Sequence, residues 1–392
     1  MNKPFFSIII PSKDRADLIN DLIWSVLQQN FSDFEIIVCD NSSNNLTQEV
    51  ISQFEDGRII NMRTGNLKMF ENWNVGINAA SGLYMMVVSD KGFLKQGALT
   101  YLYELIDVKK YKCITWSLDT FVVPNIFLTE SPNIDSREVQ SSELIKIMLG
   151  ADYLGFDDAP MHCTSCVSME TILKIKDKHK NVCNELNPDY TMAMQILLTV
   201  KSIYRINKNL IVLRRPSFDE GYGNGSSFLK KTKLSVDFLR EHKEWVKKTN
   251  DYLEIPTQNN HFIIDIILKD VYAVLKDNKV SPEIYLSKHE RLTSYYYFTY
   301  KEILWRKRMG INMSVETQEW FKAFNIENVE TKEDVNKRKF FLRATAFKAN
   351  IFYYAKTNLV TQYFLKIYRI FKYKNFGIIY IDVKDFYKNN EI

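Results

Sequence analysis

Three apolar runs in the first hundred residues each end in polar side chains that could do chemistry. Residues 5–10 lead into Pro11-Ser12-Lys13-Asp14-Arg15, 34–39 into Asp40-Asn41, and 83–88 into Ser89-Asp90-Lys91-Gly92. Carboxylates in such a set can accept ligand hydrogen bonds or move protons, and hard divalent cations take oxygen ligands. Further along, Asn187-Pro188-Asp189 opens a helical pattern, and Arg214-Arg215 precedes the glycine-rich stretch 221–227. Arginine forks match phosphate oxygens bidentately. A lone Cys-x-x-Cys, Cys163 and Cys166, follows His162. Structural zinc would need a second ligand pair at suitable spacing, so buried thiols are the better expectation.

The elements that must position these groups alternate at short intervals. Residues 5–10 and 34–39 are isoleucine-rich, uninterrupted apolar runs, the pattern of strands buried on both faces. Between them Leu18, Leu22, Ile23, Val26 and Leu27 recur at helical spacing, with Ser12 or Asp14 as the expected cap. Helices near 47–54 and 70–80 and strands near 58–62 and 83–88 continue the alternation, which predicts an α/β domain with a mostly parallel sheet. In open sheets of this kind ligands bind beyond the carboxyl ends of the strands. Ser12, Asp14, Arg15, Asp40, Asn41, Asp90 and Lys91 should therefore converge on one edge. Helices near 142–149 and 189–200 and short strands at 203–206 and 210–213 are expected next. After about 220 the chain reads as mostly helical.

Composition narrows the class. The 392 residues are 46% apolar and 14% aromatic with 13 Gly and 9 Pro, which excludes collagen-like, low-complexity and disordered chains. A net charge of +5 is too mild to imply nucleic acid. It is also unevenly placed. Residues 336–375 hold ten Lys or Arg and no acid, leaving the remainder at −5. In 356–374, Phe364, Ile367, Tyr368 and Phe371 share one helical face while Lys366, Arg369 and Lys372 share another. That pattern reads either as binding to an anionic membrane surface or as a helix packed on the domain. Five cysteines, no signal-peptide pattern and no apolar run of about 18 residues lead to the expectation of a cytoplasmic protein with reduced thiols, peripheral on the inner face of the plasma membrane.

The string Phe6-Ser-Ile-Ile-Ile-Pro-Ser-Lys-Asp-Arg15 resembles the opening of family 2 glycosyltransferases. The resemblance continues through 25–29, 34–43, 72–82 and 87–99, covering roughly residues 5–105 in order. It implies a GT-A (nucleotide-diphospho-sugar transferase, Rossmann-like) domain, 1–220, followed by a mostly α-helical C-terminal domain, 221–392, with the basic aromatic tail. It also implies inverting transfer from a nucleotide-sugar donor to a hydroxyl of a glycan or lipid-linked oligosaccharide, in surface polysaccharide assembly. On this resemblance the donor-binding residues are Pro11, Ser12, Asp14, Arg15, Asp40, Asn41, Asn72, Ser89, Asp90 and Lys91. Arg214 and Arg215, by their own chemistry, either meet the diphosphate or are solvated at a strand end. Asp40 would accept a hydrogen bond from the base, unless it only organises the turn after its strand.

One motif departs from the family pattern. Asp-x-Asp is usual where this chain has Asp90-Lys91-Gly92, so Gly92 replaces the carboxylate that normally binds Mn²⁺ or Mg²⁺. Three readings stay open: Lys91 neutralises the leaving diphosphate; Asp90 and the diphosphate together hold a divalent cation; or catalysis has been lost and the protein is a membrane-peripheral scaffold in a glycan-assembly complex. For the catalytic base the resemblance points to Asp189, with Asp157 and Asp158 as weaker candidates. His162 reads either as an acceptor-binding residue or as a hydrogen-bonded core histidine. The other reading of Asp189 is a carboxylate stabilising a helix N-terminus. A nucleotidyltransferase would open with a glycine-rich loop after the first strand, and 11–15 contains no glycine.

Overall fold

The computed structural model describes residues 3–123, 127–129, 135–150, 156, 158–184, 187–216, 262–308 and 310–323. Its spine is an eight-stranded mixed sheet in the order β3-β2-β1-β4-β10-β6-β11-β9. The first four are β1 (Phe6–Ser12), β2 (Phe34–Asp40), β3 (Ile59–Arg63) and β4 (Tyr84–Val87). They are mutually parallel, with Ser12 opposite Asp40 and Asp40 opposite Arg63. Helices α1 (Ala16–Leu27), α2 (Leu46–Ile51) and α3 (Met69–Ala79) connect them. The expected alternation is therefore present.

The parallel character stops at β4. The strand β10 (Ser165–Ser168) runs antiparallel to both β4 and β6 (Cys113–Thr115). Beyond them β11 (Ser202–Arg205) is parallel to β6, and β9 (Arg137–Gln140) is antiparallel to β11. A smaller sheet, β5-β12-β7-β8, is built from β5 (Gly92–Leu94), β7 (Asp119–Val123), β8 (Phe127–Thr129) and β12 (Ile211–Pro216). The two short strands expected after 200 thus separate: β11 extends the main sheet while β12 pairs with β5 directly after the Asp90-Lys91 turn.

Both faces of β1, β2 and β4 are buried, as their uninterrupted apolar runs require, while β3 is a partly exposed edge strand. Ile8, Ile10, Ile36, Val38, Met86 and Val88 pack with Leu22, Ile23 and Val26 of α1 and with Leu99 and Leu102 of α4 (Ala98–Lys109). Each fully buried aliphatic side chain contributes roughly 1.5–3 kcal/mol. On the other face α3 lies close to the sheet: a Cβ on Gly76 would come within 2.5 Å of Ile9 and 2.6 Å of the Cys39 sulfur. Glycine lets the helix seat there.

Helices α5 (Ser141–Leu149), α6 (Met169–Lys178) and α7 (Pro188–Thr199) complete the first part of the chain. The next described helix, α8 (Ile263–Asp277), packs against α7 and α5. It is followed by α9 (Lys288–Arg308). The chain divides into two compact units, one reaching Ile311 and one beginning at Asn312. Of the second, α10 (Ser314–Ala323) is the described element. The boundary expected near 220, the glycine-rich stretch 221–227 and the basic segment 336–375 lie outside the described residues.

Capping of α1 differs from expectation. Its N-cap is Arg15, without a side-chain cap. Ser12 and Asp14 are engaged elsewhere, as described next.

Candidate active site

The strand ends meet as the sheet rule requires. The Ser12 hydroxyl, at the end of β1, donates to Asp90 Oδ2 at 3.0 Å. Arg15 Nη1 donates to Asp90 Oδ1 at 3.2 Å, and the Ser89 hydroxyl donates to the same oxygen at 3.3 Å. Asp90 is 2% exposed, and a carboxylate so buried is tolerable only when paired and hydrogen-bonded. Its neighbour Lys91 belongs to the same turn, where the backbone N–H of Arg214 donates to the Lys91 carbonyl at 2.9 Å.

Asp40, at the end of β2, is fully buried. Its Oδ1 accepts from the Ser42 N–H at 3.0 Å and its Oδ2 from Arg63 Nη1 at 2.9 Å. Arg63 closes β3, so applying the strand-end rule to that strand as well would have found it. Asn41 and Asn72 are buried in the scaffold behind this corner. The Asn41 side chain donates to the Leu67 carbonyl and accepts from its N–H, at 2.8 and 2.7 Å. Asn72 donates to the Cys39 carbonyl at 3.1 Å and accepts from the Thr64 hydroxyl at 2.6 Å.

Asp14 has φ 53°, a left-handed conformation that aspartate adopts more readily than most residues. Its Oδ1 accepts from the Ser43 N–H at 2.8 Å and hydroxyl at 2.9 Å, with the backbone bond chiefly holding its carboxyl below the usual range. Asp14 thereby ties the turn after β1 to the turn after β2. Pro11 lies within β1 itself.

The second half of the cleft comes from later in the chain. Cys163 N–H donates to the Val87 carbonyl at 2.8 Å, and Ser89 N–H donates to the Cys163 sulfur at 3.1 Å. These bonds pin the segment carrying His162 beside the Asp90 turn. His162 sits edge-on to Trp73 of α3, with ring centroids 5.3 Å apart. Its Nδ1 lies 3.6 Å from Asp189 Oδ2, beyond hydrogen-bond reach, and that buried nitrogen has no hydrogen-bond partner. Asp189 is in the first turn of α7, where its Oδ1 accepts from the Tyr190 N–H at 3.1 Å. Burial raises the Asp189 carboxyl, against the opposing pull of His162 and of backbone hydrogen bonds. Burial also lowers His162, with Lys91 acting in the same direction and Asp189 and Asp90 opposing. His162 thus feels Asp189, Lys91 and Asp90 together.

Other candidates are held away from it. The Arg214 guanidinium pairs with Asp21 of α1, and the Arg215 side chain lies outside the described residues. Asp158 pairs with Arg137 and with the buried Arg205, at 2.7 Å from its Nε, so it holds strands together. Asp157 lies outside the described residues. All five cysteines are free and buried, and burial pushes Cys163 up to about 12. These are inert thiols, as expected for the lone Cys-x-x-Cys.

The residues present do not form a protein cage for a divalent cation. Both Asp90 oxygens already accept hydrogen bonds, Lys91 follows, and Gly92 supplies no ligand. Among the described residues no group of three His, Cys, Asp or Glu is placed to hold a metal. A Cβ at Gly92 would stand 3.2 Å from the Ser89 carbonyl oxygen and 3.3 Å from Val88, so these neighbours would have to give by a few tenths of an ångström.

Comparison with known proteins bears on the first part of this arrangement. Residues 7–155 match the family described as Glycosyl transferase family 2. That segment is similar to family 2 glycosyltransferase domains. The family 2 domain has the GT-A fold, consistent with the sheet described above. Over 105 residues the chain is 35% identical to the GalNAc(5)-diNAcBac-PP-undecaprenol beta-1,3-glucosyltransferase of Campylobacter jejuni, covering 26% of this chain and 34% of that protein. Over 141 residues it is 34% identical to the UDP-Glc:alpha-D-GlcNAc-diphosphoundecaprenol beta-1,3-glucosyltransferase WfaP of Escherichia coli, covering 36% and 55%. A similarity of 25% over 302 residues to the chondroitin synthase of Pasteurella multocida covers 72% of this chain and 29% of that one. The chain thus spans well under two thirds of the length of these relatives. Among solved structures, Staphylococcus aureus TarS 1–349 aligns over 85% of this chain and 91% of its own, at 15% identity and a TM-score of 0.45. Asp189, Arg214 and α8 all lie outside the matched family 2 domain.

Proposed function

We propose that the protein transfers a sugar from a nucleotide-sugar donor to a hydroxyl of a glycan or lipid-linked acceptor, with inversion, in the assembly of a surface glycan. The observation that carries this reading is the joining of two differently built halves of one cleft. Ser12, Asp40 and Asp90 close the parallel strands of the family 2 domain, and Asp189 with His162 faces them from the later elements.

Asp40, fixed by Ser42 and Arg63, has lone pairs left to accept a base N–H. Asp90, fixed by Ser12 and Arg15, would receive the ribose, and Lys91 would meet the diphosphate. In the transfer step the acceptor oxygen attacks the anomeric carbon as Asp189 takes its proton. The bond from that carbon to the diphosphate breaks, and its electron pair leaves with the nucleotide. Lys91 stabilises the charge that develops there. Burial of Asp189 suits it to the task, because a carboxylate raised from its ordinary value is a better proton acceptor. His162 and Trp73 would line the acceptor side. Asp90 is the carboxylate on which a divalent cation could draw.

The relatives' names include glucosyltransferases acting on diphosphoundecaprenol-linked sugars, which supports a lipid-linked acceptor here. Among the described residues no helix is long and apolar enough to cross a membrane. Residues 336–375 would then bring the enzyme to an anionic membrane surface.

The test is calorimetric titration of UDP, GDP, dTDP and CMP, each with Mn²⁺ and again with EDTA, followed by turnover of the matching nucleotide sugars. Binding of one nucleotide that survives EDTA, with turnover of its sugar, supports donor capture through Lys91. Binding that requires Mn²⁺ would transfer that role to a cation on Asp90. Binding of none of the four defeats the reading.

A further inference from the structure

The helix α8 lies beyond the family 2 domain, yet every residue from Ile264 to Leu275 is buried. Three of those residues are charged: Asp265, Lys269 and Asp270. Asp265 accepts from the Tyr295 hydroxyl at 2.6 Å within the contact between α8 and α9. Asp270 points the other way, toward α7. Its Oδ2 accepts two hydrogen bonds from one residue: the Asn187 N–H at 2.8 Å and the Asn187 side-chain amide at 2.7 Å.

Asn187 is the N-cap of α7, two residues before Asp189. An asparagine at that position ordinarily turns its side chain inward, onto the free N–H groups of the first turn. Here it makes no such bond, because its amide is given to Asp270. Two bonds to one carboxylate oxygen fix both the position of Asn187 and its rotation. Pro188 then carries that fixity forward with its locked φ. A second tie joins the same two helices two turns later, where the Asn278 amide donates to Gln195 Oε1 at 3.1 Å. Both ties have the same sequence separation, so α7 and α8 run parallel in register. Only the first of them adjoins the cleft.

We propose that Asp270 is a positioning residue for Asp189, anchoring the first turn of α7 so that the carboxylate is held at the acceptor hydroxyl. This makes α8 part of the transfer machinery. The proposal rests on the reading of Asp189 as the base.

The experiment uses the full chain with Asp270→Ala, Asp270→Asn, Asn187→Ala and Asn278→Ala. Turnover of UDP-glucose and UDP-N-acetylglucosamine gives kcat and KM, UDP titration gives nucleotide affinity, and hydrogen exchange reads residues 187–191. Asp270→Ala should lower kcat about tenfold to a hundredfold, the scale of a small misplacement of a reacting group. UDP affinity should stay unchanged, and exchange should accelerate at 187–191. Asp270→Asn, which keeps an acceptor oxygen for Asn187, should recover most of the lost kcat, and Asn278→Ala should leave kcat unchanged. An undiminished kcat in Asp270→Ala overturns the proposal, as does an equal loss in Asn278→Ala. Should Asp270→Ala fail to fold, Asn187→Ala takes its place with the same expected kcat loss, and wild-type kcat there is equally fatal. A wild-type protein inert toward both donors defeats the transferase reading instead. In that case the anchor is judged by exchange alone, and protection at 187–191 unchanged in Asp270→Ala and Asn187→Ala overturns it.

Discussion

Asp90 and Asp189 face one cleft, but their surroundings are opposite. Asp90 accepts from Ser12, Arg15 and Ser89, and nearby Asp40 accepts from Ser42 and Arg63. Asp189 accepts from its neighbour's backbone and stands 3.6 Å from a histidine nitrogen that has no partner. The first half is settled in advance, as suits groups that must recognise a ligand the same way each time. In the second half burial raises Asp189 and lowers His162 from their ordinary values. On the proposed function, recognition and reaction are divided between the strand ends and the elements after them.

The division breaks most sharply at Asp189. Asp189→Asn should lower transfer by about a hundredfold or more, the scale of losing a general base. UDP affinity should stay unchanged, as calorimetry would show. The same change should stabilise the fold at neutral pH. Burial raises the folded-state pKa of Asp189 above its unfolded value, so the folded protein binds that proton more tightly and loses stability as pH rises between the two values. Asparagine removes this cost, and a higher Tm at pH 7 than at pH 4, relative to wild type, is the expected signature. Wild-type transfer in this variant would remove Asp189 from the mechanism.

The second break falls on the donor side. Lys91→Ala should weaken UDP binding by about tenfold to a hundredfold, the equivalent of a hydrogen bond to a charged group. The loss should be the same in Mn²⁺ and in EDTA. Unchanged affinity would defeat the clamp, and a loss confined to EDTA would give the diphosphate to a cation.

This contrast also explains what the sequence made legible. Ser12, Asp40 and Asp90 could be read because each closes a continuous apolar run, and parallel strands bring such ends together whatever the loops do. Even there, a side chain's partner was less visible than its place: Ser12 and Asp14 were expected to cap α1, but they serve Asp90 and Ser43. The sheet was expected to be mostly parallel, yet β10 reverses beside β4, and a four-residue strand carries no periodicity that reveals direction. The pairing of His162 with Asp189 depends on Cys163 bonding back to Val87 and Ser89, contacts that span more than seventy residues. Asp270 was less legible still. It lies outside the family resemblance, and its partner Asn187 is 83 residues away in the chain, a contact that no local pattern announces.

Gly92 tests whether the missing carboxylate is a loss or a fit. Gly92→Asp restores the family's Asp-x-Asp spelling, yet its Cβ would crowd the Ser89 carbonyl at 3.2 Å, a bond-bearing oxygen of the Asp90 turn. It would also bury a carboxylate without a partner, at a cost of about 3–5 kcal/mol. The expected result is a lower denaturant midpoint and no gain of Mn²⁺ dependence in UDP binding. A stable variant that acquires Mn²⁺ dependence would show the turn still able to take the metal.

The smallest effect is expected at Arg214. Its backbone is tied to the Lys91 carbonyl, so by position alone it would join the diphosphate site. Its guanidinium, however, pairs with Asp21, and both side chains are about a quarter exposed, at 23% and 25%. Ion pairs this exposed contribute about 0–1 kcal/mol. Arg214→Ala should therefore leave UDP affinity within about twofold and lower stability by less than about 1 kcal/mol. Asp21→Ala sharpens the point. If the pair only holds α1 to β12, this variant matches Arg214→Ala in stability and leaves UDP affinity alone. If releasing the guanidinium instead strengthens UDP binding, Arg214 is a phosphate ligand that Asp21 holds in reserve, and the donor half of the cleft is less settled than its other carboxylates indicate.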